Sequence, residues 1–470
     1  MLLSERGQSG VTIPDGIERR WHPVLEPHER GQAVAIAQEV AGRLRECSMV
    51  ERAADLARQQ TAYPRTVTWR PVSASQGYAG LALACGAFDD SFPGAGWDLV
   101  AREHLRRAVA AAERLQRATF GMYSGLGGLA YAAWYLSRQG ARYRRLLSTL
   151  DAAVLRLSTA ATTALARDPP HGVGVSTFDV ISGLSGIGRY LLLRQEGRAH
   201  AAALEQVLRC LVALSREVDD LPRWHTPNRF MADEASRRQC PHGNLNCGLA
   251  HGIPGPLALL SLTAIQGIVV EGQLDAIRRI VGWLCRHRLR DPWGTNWPAI
   301  VPLPAPCSRT GAAAGDLPDG SATATPSRSA WCYGSPGVAR ALWLAGTALD
   351  DEACRRLALD AVAAVHRRPL RARQIDSPTF CHGVAGLQQI TLRFANETGA
   401  PAMIEAARTL HRQIVAAYEP ESLVGFRNVE PGGRRIDQPG LLDGAAGVTL
   451  VLLAAAIPVE PRWDALFLLS

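Results

Sequence analysis

Two kinds of helical pattern recur along this chain. In one kind, Leu, Ala, Val and Gly fill nearly every position around the helix, as in residues 186–194 and 337–348. A helix that is apolar all round must be covered on all sides. In the other kind, apolar positions return every three or four residues and charges fill the gaps, as in residues 101–119 and 351–366. That spacing puts one stripe of an amphipathic helix against a core and the other face in water. The two kinds alternate. Period-two alternation of β-branched residues is scarce, so no strands are expected.

A short glycine device opens each of the apolar helices. It reads Gly-x-x-Gly and in most copies an apolar residue follows. Its first glycines are Gly77, Gly125, Gly183, Gly252, Gly334, Gly383 and Gly444, spaced 48, 58, 69, 82, 49 and 61 residues apart. Glycine suits a place where helix starts approach each other closely. One such motif is weak evidence, whereas seven that each open an apolar helix form an internal repeat. A straight solenoid would tolerate the repeat but would leave the apolar helices uncovered. The pattern therefore predicts an all-α protein, an α/α toroid with seven inner helices inside seven outer ones.

Residues 76–470 carry the repeat. Residues 1–75 read as an N-terminal helical extension, with one or two amphipathic helices between 31 and 60. Two inserts account for the wide spacings. One, near 218–246, lacks helical periodicity, and the other, near 301–330, is rich in Pro, Ala, Gly and Ser and reads as a loop.

Composition narrows the function classes. The chain has 470 residues, 47% hydrophobic and 20% charged, as in a globular protein. Its net charge of +8 is spread along the sequence, without the runs of Lys/Arg and aromatics that nucleic-acid binding would need. The first residues, MLLSERGQSG, contain no apolar signal segment, and no stretch of about 18 apolar residues exists. Ten scattered cysteines without a disulfide framework fit reduced thiols and a cytoplasmic location.

The candidate chemistry lies just before the first glycines. The first three copies carry Gln76, Ser124 and Ser182 there. The fourth carries His251, the fifth Cys332-Tyr333, the sixth Cys381-His382 and the seventh Asp443. If the copies are equivalent, these residues line one rim of the ring, and the fifth and sixth copies bring two thiols and an imidazole together. Cys332, Cys381 and His382 are suitable ligands for Zn²⁺, and three protein ligands leave the open position of a catalytic site. An open zinc site suits a thiol substrate, which it would hold as a thiolate. His251 is placed to move a proton. Asp179 and Tyr333 could orient that transfer, and Arg328 could balance negative charge. Each has a plainer reading: buried cysteine, turn histidine, Asp179 as a helix cap, Arg328 as a loop charge, Tyr333 as rim packing. Asp443 reads as structural. Cys240, His242 and Cys247 also cluster, but their spacing matches no strong zinc pattern.

At these residues the chain resembles the lanthionine synthetase C-like family, the lantibiotic cyclases. The matching strings are Asp179-Val-Ile-Ser-Gly-Leu-Ser-Gly186, Gly248-Leu-Ala-His-Gly-Ile-Pro-Gly255, Trp331-Cys-Tyr-Gly334 and Cys381-His-Gly383. The resemblance runs from about residue 75 to the end and implies an α/α toroid. It implies zinc on Cys332, Cys381 and His382, an acid/base role for His251, and support from Asp179, Arg328 and Tyr333. It also implies a stand-alone cyclase that adds peptide cysteine thiols to dehydroalanine or dehydrobutyrine. The expected partners are a leader-bearing precursor peptide, a separate dehydratase and a transporter, with possible peripheral membrane association. Two rival readings stay open: intermolecular addition of a thiol such as glutathione, and a non-catalytic peptide-binding scaffold. A carbohydrate-active toroid would need paired carboxylates, for which the rim offers only Asp179 and Asp443.

Overall fold

The computed structural model describes residues 21–64, 69–167, 171–305 and 325–470. Most of the Pro/Ala/Gly/Ser-rich insert, expected to be a loop, lies outside them.

Seven helices follow the seven glycine motifs: Tyr78–Ser91, Leu126–Tyr135, Leu184–Leu193, Pro254–Ile265, Ser335–Leu349, Val384–Thr398 and Ala445–Ala456. Each touches the next in order, and the last touches the first, so the inner layer is a closed ring. Their composition demands this position. Every residue of Ala445–Ala456 is buried, so no side of that helix is left for water.

An outer helix backs each inner one. Six follow their partners in sequence: Trp97–Ala112, Arg144–Arg167, Arg198–Leu214, Gln273–Arg286, Glu352–Arg367 and Pro401–Ala416. These are amphipathic as expected. Trp97–Ala112, for example, buries Trp97, Ala101, His104, Leu105 and Ala108, one stripe of the helix, and exposes the rest. The seventh outer helix comes from the other end of the chain. Pro27–Leu44 packs on Ala445–Ala456 and is tied there by the Trp21 indole, which donates to the Ala454 carbonyl at 2.7 Å, and by the Val24 amide, which donates to the Ala455 carbonyl at 3.2 Å. A second helix, Cys47–Gln60, completes the N-terminal stretch.

The loops ahead of the inner helices are stitched into a ring of their own. The Ala74 amide donates to the Tyr123 carbonyl, Tyr123 to Ile181, Val180 to Ala250, Ala250 to Cys332, Cys332 to Cys381, Cys381 to Leu442, and Leu442 back to Ser75, at 2.9–3.3 Å. Seven links thus close one circle, and the residue two before each first glycine takes part in it each time. The second glycine of each motif lets the start of the inner helix lie directly on its own loop. A Cβ on Gly386 would lie 2.0 Å from the Phe380 carbonyl oxygen, and one on Gly128 would lie 2.1 Å from that of Met122.

The C-terminal segment fills the middle of the ring. Trp463 to Leu469 are buried, and their carbonyls accept from residues all round the inner wall. The Tyr123 hydroxyl donates to Leu466 at 3.1 Å, the Trp331 indole to Phe467 at 3.0 Å, and the Arg340 guanidinium to Leu469 at 2.7 Å. The Asp464 carboxylate is paired with Arg393 through two bonds of 2.7 Å.

Strands do occur, contrary to the sequence expectation. Among the described residues there are four two-stranded antiparallel ribbons, such as Asn244–Asn246 with Ile300–Pro302. They are only two or three residues long, too short to show a periodicity, and they belong to the connections rather than to the ring.

Candidate active site

The loop ring decides which side chains meet. Because the Cys332 amide donates to the Cys381 carbonyl and the Cys381 amide to the Leu442 carbonyl, loops five, six and seven lie side by side. The Cys332 thiol lies close enough to that of Cys381 to perturb it. One donor atom each from Cys381, His382 and Asp443 lies within 4.8 Å of the other two. Cys332 is buried, and Cys381 and His382 are half-buried. Gly334, at φ +94°, shapes loop five: a Cβ there would overlap the Arg328 carbonyl oxygen at 1.8 Å.

Electrostatics in this corner favour a cation. The Cys381 thiol is held well above the ordinary thiol range, first by its hydrogen bond with Cys332 and then by burial, while Arg328 pulls it down. Burial likewise pushes the Asp443 carboxyl up, against the opposing pull of His382 and of hydrogen bonds from Gln76 and Cys381. Asp443 Oδ1 is buried and has no hydrogen-bond partner among the described residues. A sulfur of Cys381, an imidazole nitrogen of His382 and a carboxylate oxygen of Asp443 come together, with Cys332 beside Cys381 but outside that close group, and this donor set suits a divalent metal ion of zinc type.

His251 stands on loop four, next to loop five. Its Nδ1 lies 2.7 Å from Oδ2 of the buried Asp179, and 37% of its side chain is exposed. The other oxygen of Asp179 accepts the backbone amides of Ser182 and Gly183 at 2.7 and 2.8 Å. The carboxylate that caps the third loop therefore also grips the imidazole of the fourth. With Nδ1 engaged, Nε2 is the ring nitrogen left for a substrate. The Tyr333 ring sits 6.4 Å from the His251 ring, and its hydroxyl, pushed up to about 12 by burial, accepts from the Asn246 amide at 3.1 Å.

All seven sequence-predicted residues thus lie on or beside loops three to six. Two neighbours were missed. Asp443 occupies the same place in its copy as His382 does, one before the first glycine, and that register was its signal. Asn246, which also accepts the Gly248 amide at 3.0 Å, had none. Cys240, His242 and Cys247 form no metal-type cluster among the described residues.

The sequence model of the family described as "Lanthionine synthetase C-like protein" matches residues 68–468. The chain belongs to this family. The lanthionine synthetase C-like chain is also similar to the nisin biosynthesis protein NisC of Lactococcus lactis subsp. lactis. The two are 27% identical over 344 residues, 71% of this chain and 73% of that protein. A solved structure of nisin cyclase shares its fold, with a TM-score of 0.69 and 22% identity over 90% of this chain and 98% of that one. Among the described residues no helix is long and apolar enough to cross a membrane.

Proposed function

We propose that this lanthionine synthetase C-like chain is a zinc-dependent lanthipeptide cyclase that closes thioether rings in a dehydrated peptide. The observation that carries the reading is the meeting of loops five, six and seven, where Cys381, His382 and Asp443 share one corner, with Cys332 next to Cys381 and the His251–Asp179 pair on the neighbouring loop. Membership of the family and the likeness to NisC support it.

Zn²⁺ held by Cys332, Cys381 and His382 would supply the positive charge that keeps a substrate cysteine as thiolate near neutral pH. The chain's own groups handle the rest. His251 takes the thiol proton at Nε2 while Asp179 holds the ring and offsets the imidazolium charge. The thiolate attacks the β-carbon of dehydroalanine or dehydrobutyrine. A C–S bond forms, the double bond opens, and negative charge passes to the enolate. Arg328 and the Tyr333 hydroxyl are the rim groups available to stabilise that charge. His251 then returns its proton to the α-carbon, so no atom is gained or lost. The substrate would be a leader-bearing precursor delivered by a separate dehydratase. The nine described cysteines, all unpaired, support a reducing compartment such as the cytoplasm.

Cyclisation leaves the peptide mass unchanged and consumes one thiol, so alkylation followed by mass measurement counts the rings. In Cys332→Ala, bound zinc and ring formation should be lost together. Full cyclisation by that variant in zinc-free form would overturn the proposal.

A further inference from the structure

The relation between His382 and Asp443 does not look like an ordinary ion pair. Nδ1 of His382 and Oδ1 of Asp443 are 3.3 Å apart. No hydrogen bond joins them, however: Oδ1 is buried and has no hydrogen-bond partner among the described residues. Two such atoms at that distance, not aimed at each other, are free to share a third partner. The Cys381 sulfur lies within 4.8 Å of an imidazole nitrogen of His382 and a carboxylate oxygen of Asp443. In a tetrahedral zinc site with bonds of ~2.0 Å to nitrogen and oxygen, the edge between those two donors is about 3.3 Å. The separation of Nδ1 and Oδ1 therefore matches an edge of such a tetrahedron.

Cys332 and Cys381 are at the position whose backbone is locked in the ring, whereas His382 and Asp443 are one residue on and reach the corner by their side chains, Asp443 being held by Gln76 of loop one and by Cys381. Zinc is borderline-soft, and a thiolate competes well against a carboxylate for it.

We propose that Asp443 is a fourth, displaceable metal ligand. It completes the set of Cys332, Cys381 and His382 between turnovers, and a substrate thiol takes its place. In that exchange the bond to Oδ1 would break, a bond to sulfur would form, and the thiol proton would pass to His251 Nε2 as above. The carboxylate excludes small adventitious thiols from the corner, so that a thiol presented by a bound peptide is favoured. The inference rests on the zinc reading above.

The test uses the full chain, loaded with Co²⁺ in place of zinc, as wild type, Asp443→Ala and the size-matched Asp443→Asn. Matching far-ultraviolet spectra and melting curves establish that the variants are folded. Removing partners of a metal site typically weakens metal retention about 10–100-fold, so both variants should lose the ion to a chelator at least that much more readily. Titration with 2-mercaptoethanol, followed by the sulfur-to-cobalt charge-transfer band, should show tighter thiol binding in both variants, by about tenfold, because no carboxylate has to leave. Weaker metal retention with unchanged or poorer thiol binding would make Asp443 a positioning residue for His382 and overturn the proposal. Unchanged behaviour in both measurements would overturn it too. Failure of the wild type to hold any metal would instead refute the zinc reading.

Discussion

Asp179 uses its two oxygens for two tasks, and they can be separated by substitution. Asp179→Asn keeps an oxygen for the Ser182 and Gly183 amides but removes the charge facing His251. The fold should hold while turnover falls, about 10–100-fold if the imidazole loses its orientation and charge support. His251→Asn should lower turnover further, about 10²–10⁴-fold, with zinc content unchanged. Metal analysis beside a ring count by alkylation checks both, and loss of zinc in either would contradict the division of roles. The residues with chemistry were legible in the sequence because they share a register: Cys332, Cys381, His382 and His251 all sit one or two places before a repeated glycine. Asp443 had that register too, but a carboxylate alone carries no sign of a partner until the seventh loop is known to lie against the sixth.

At the scale of elements, the inner helices and six of their partners follow directly from hydrophobic periodicity. The seventh outer helix does not, because its partner lies some four hundred residues along the chain and no local pattern links Pro27–Leu44 to Ala445–Ala456. The seam between them is correspondingly easy to test. Ala37 is fully buried there, so Ala37→Glu places an unpaired charge in the core and should cost several kcal/mol, enough to lower the melting temperature clearly. Ala35→Glu, on the exposed side of the same helix, should shift stability by less than about 0.5 kcal/mol. The other end of that helix, where it meets Trp97–Ala112, should respond to acid. His104 is buried with Nε2 3.1 Å from the Leu44 carbonyl, and burial lowers it from 6.5 to about 4. Its folded value is below its unfolded one, so the unfolded chain binds more protons between those values. Its contribution is therefore complete above about 6.5 and is lost as pH falls toward about 4. His104→Gln should flatten part of that slope in melting curves recorded from pH 7 to 4.

At the scale of the molecule, the toroid itself was legible, because seven all-round apolar helices have few other ways to be covered. The filling of its bore was not: nothing in the sequence near Trp463 indicates that this segment turns inward. Phe467 lies against Trp331 and Phe380, with ring centroids 5.3 and 3.8 Å away, and those two residues immediately precede Cys332 and Cys381. Phe467→Ala should cost about 3–5 kcal/mol, measured by denaturant unfolding, and should weaken zinc retention because both cysteine loops lose their backing.

The wall of the ring takes one outer helix from Pro27–Leu44 and the inner helix it covers from Ala445–Ala456, and residues 463–469 lie inside the bore. During synthesis, then, the N-terminal helix waits for a partner made some four hundred residues later, and the ring stays open until that partner emerges. The cysteine corner lies on loops five to seven, so a nascent chain that has not yet exposed the seventh loop has no finished cage to offer. Acquisition of the ion is consequently a step that follows emergence of that loop, and a ribosome-stalled chain ending before residue 445 should take up no metal in stoichiometric amount.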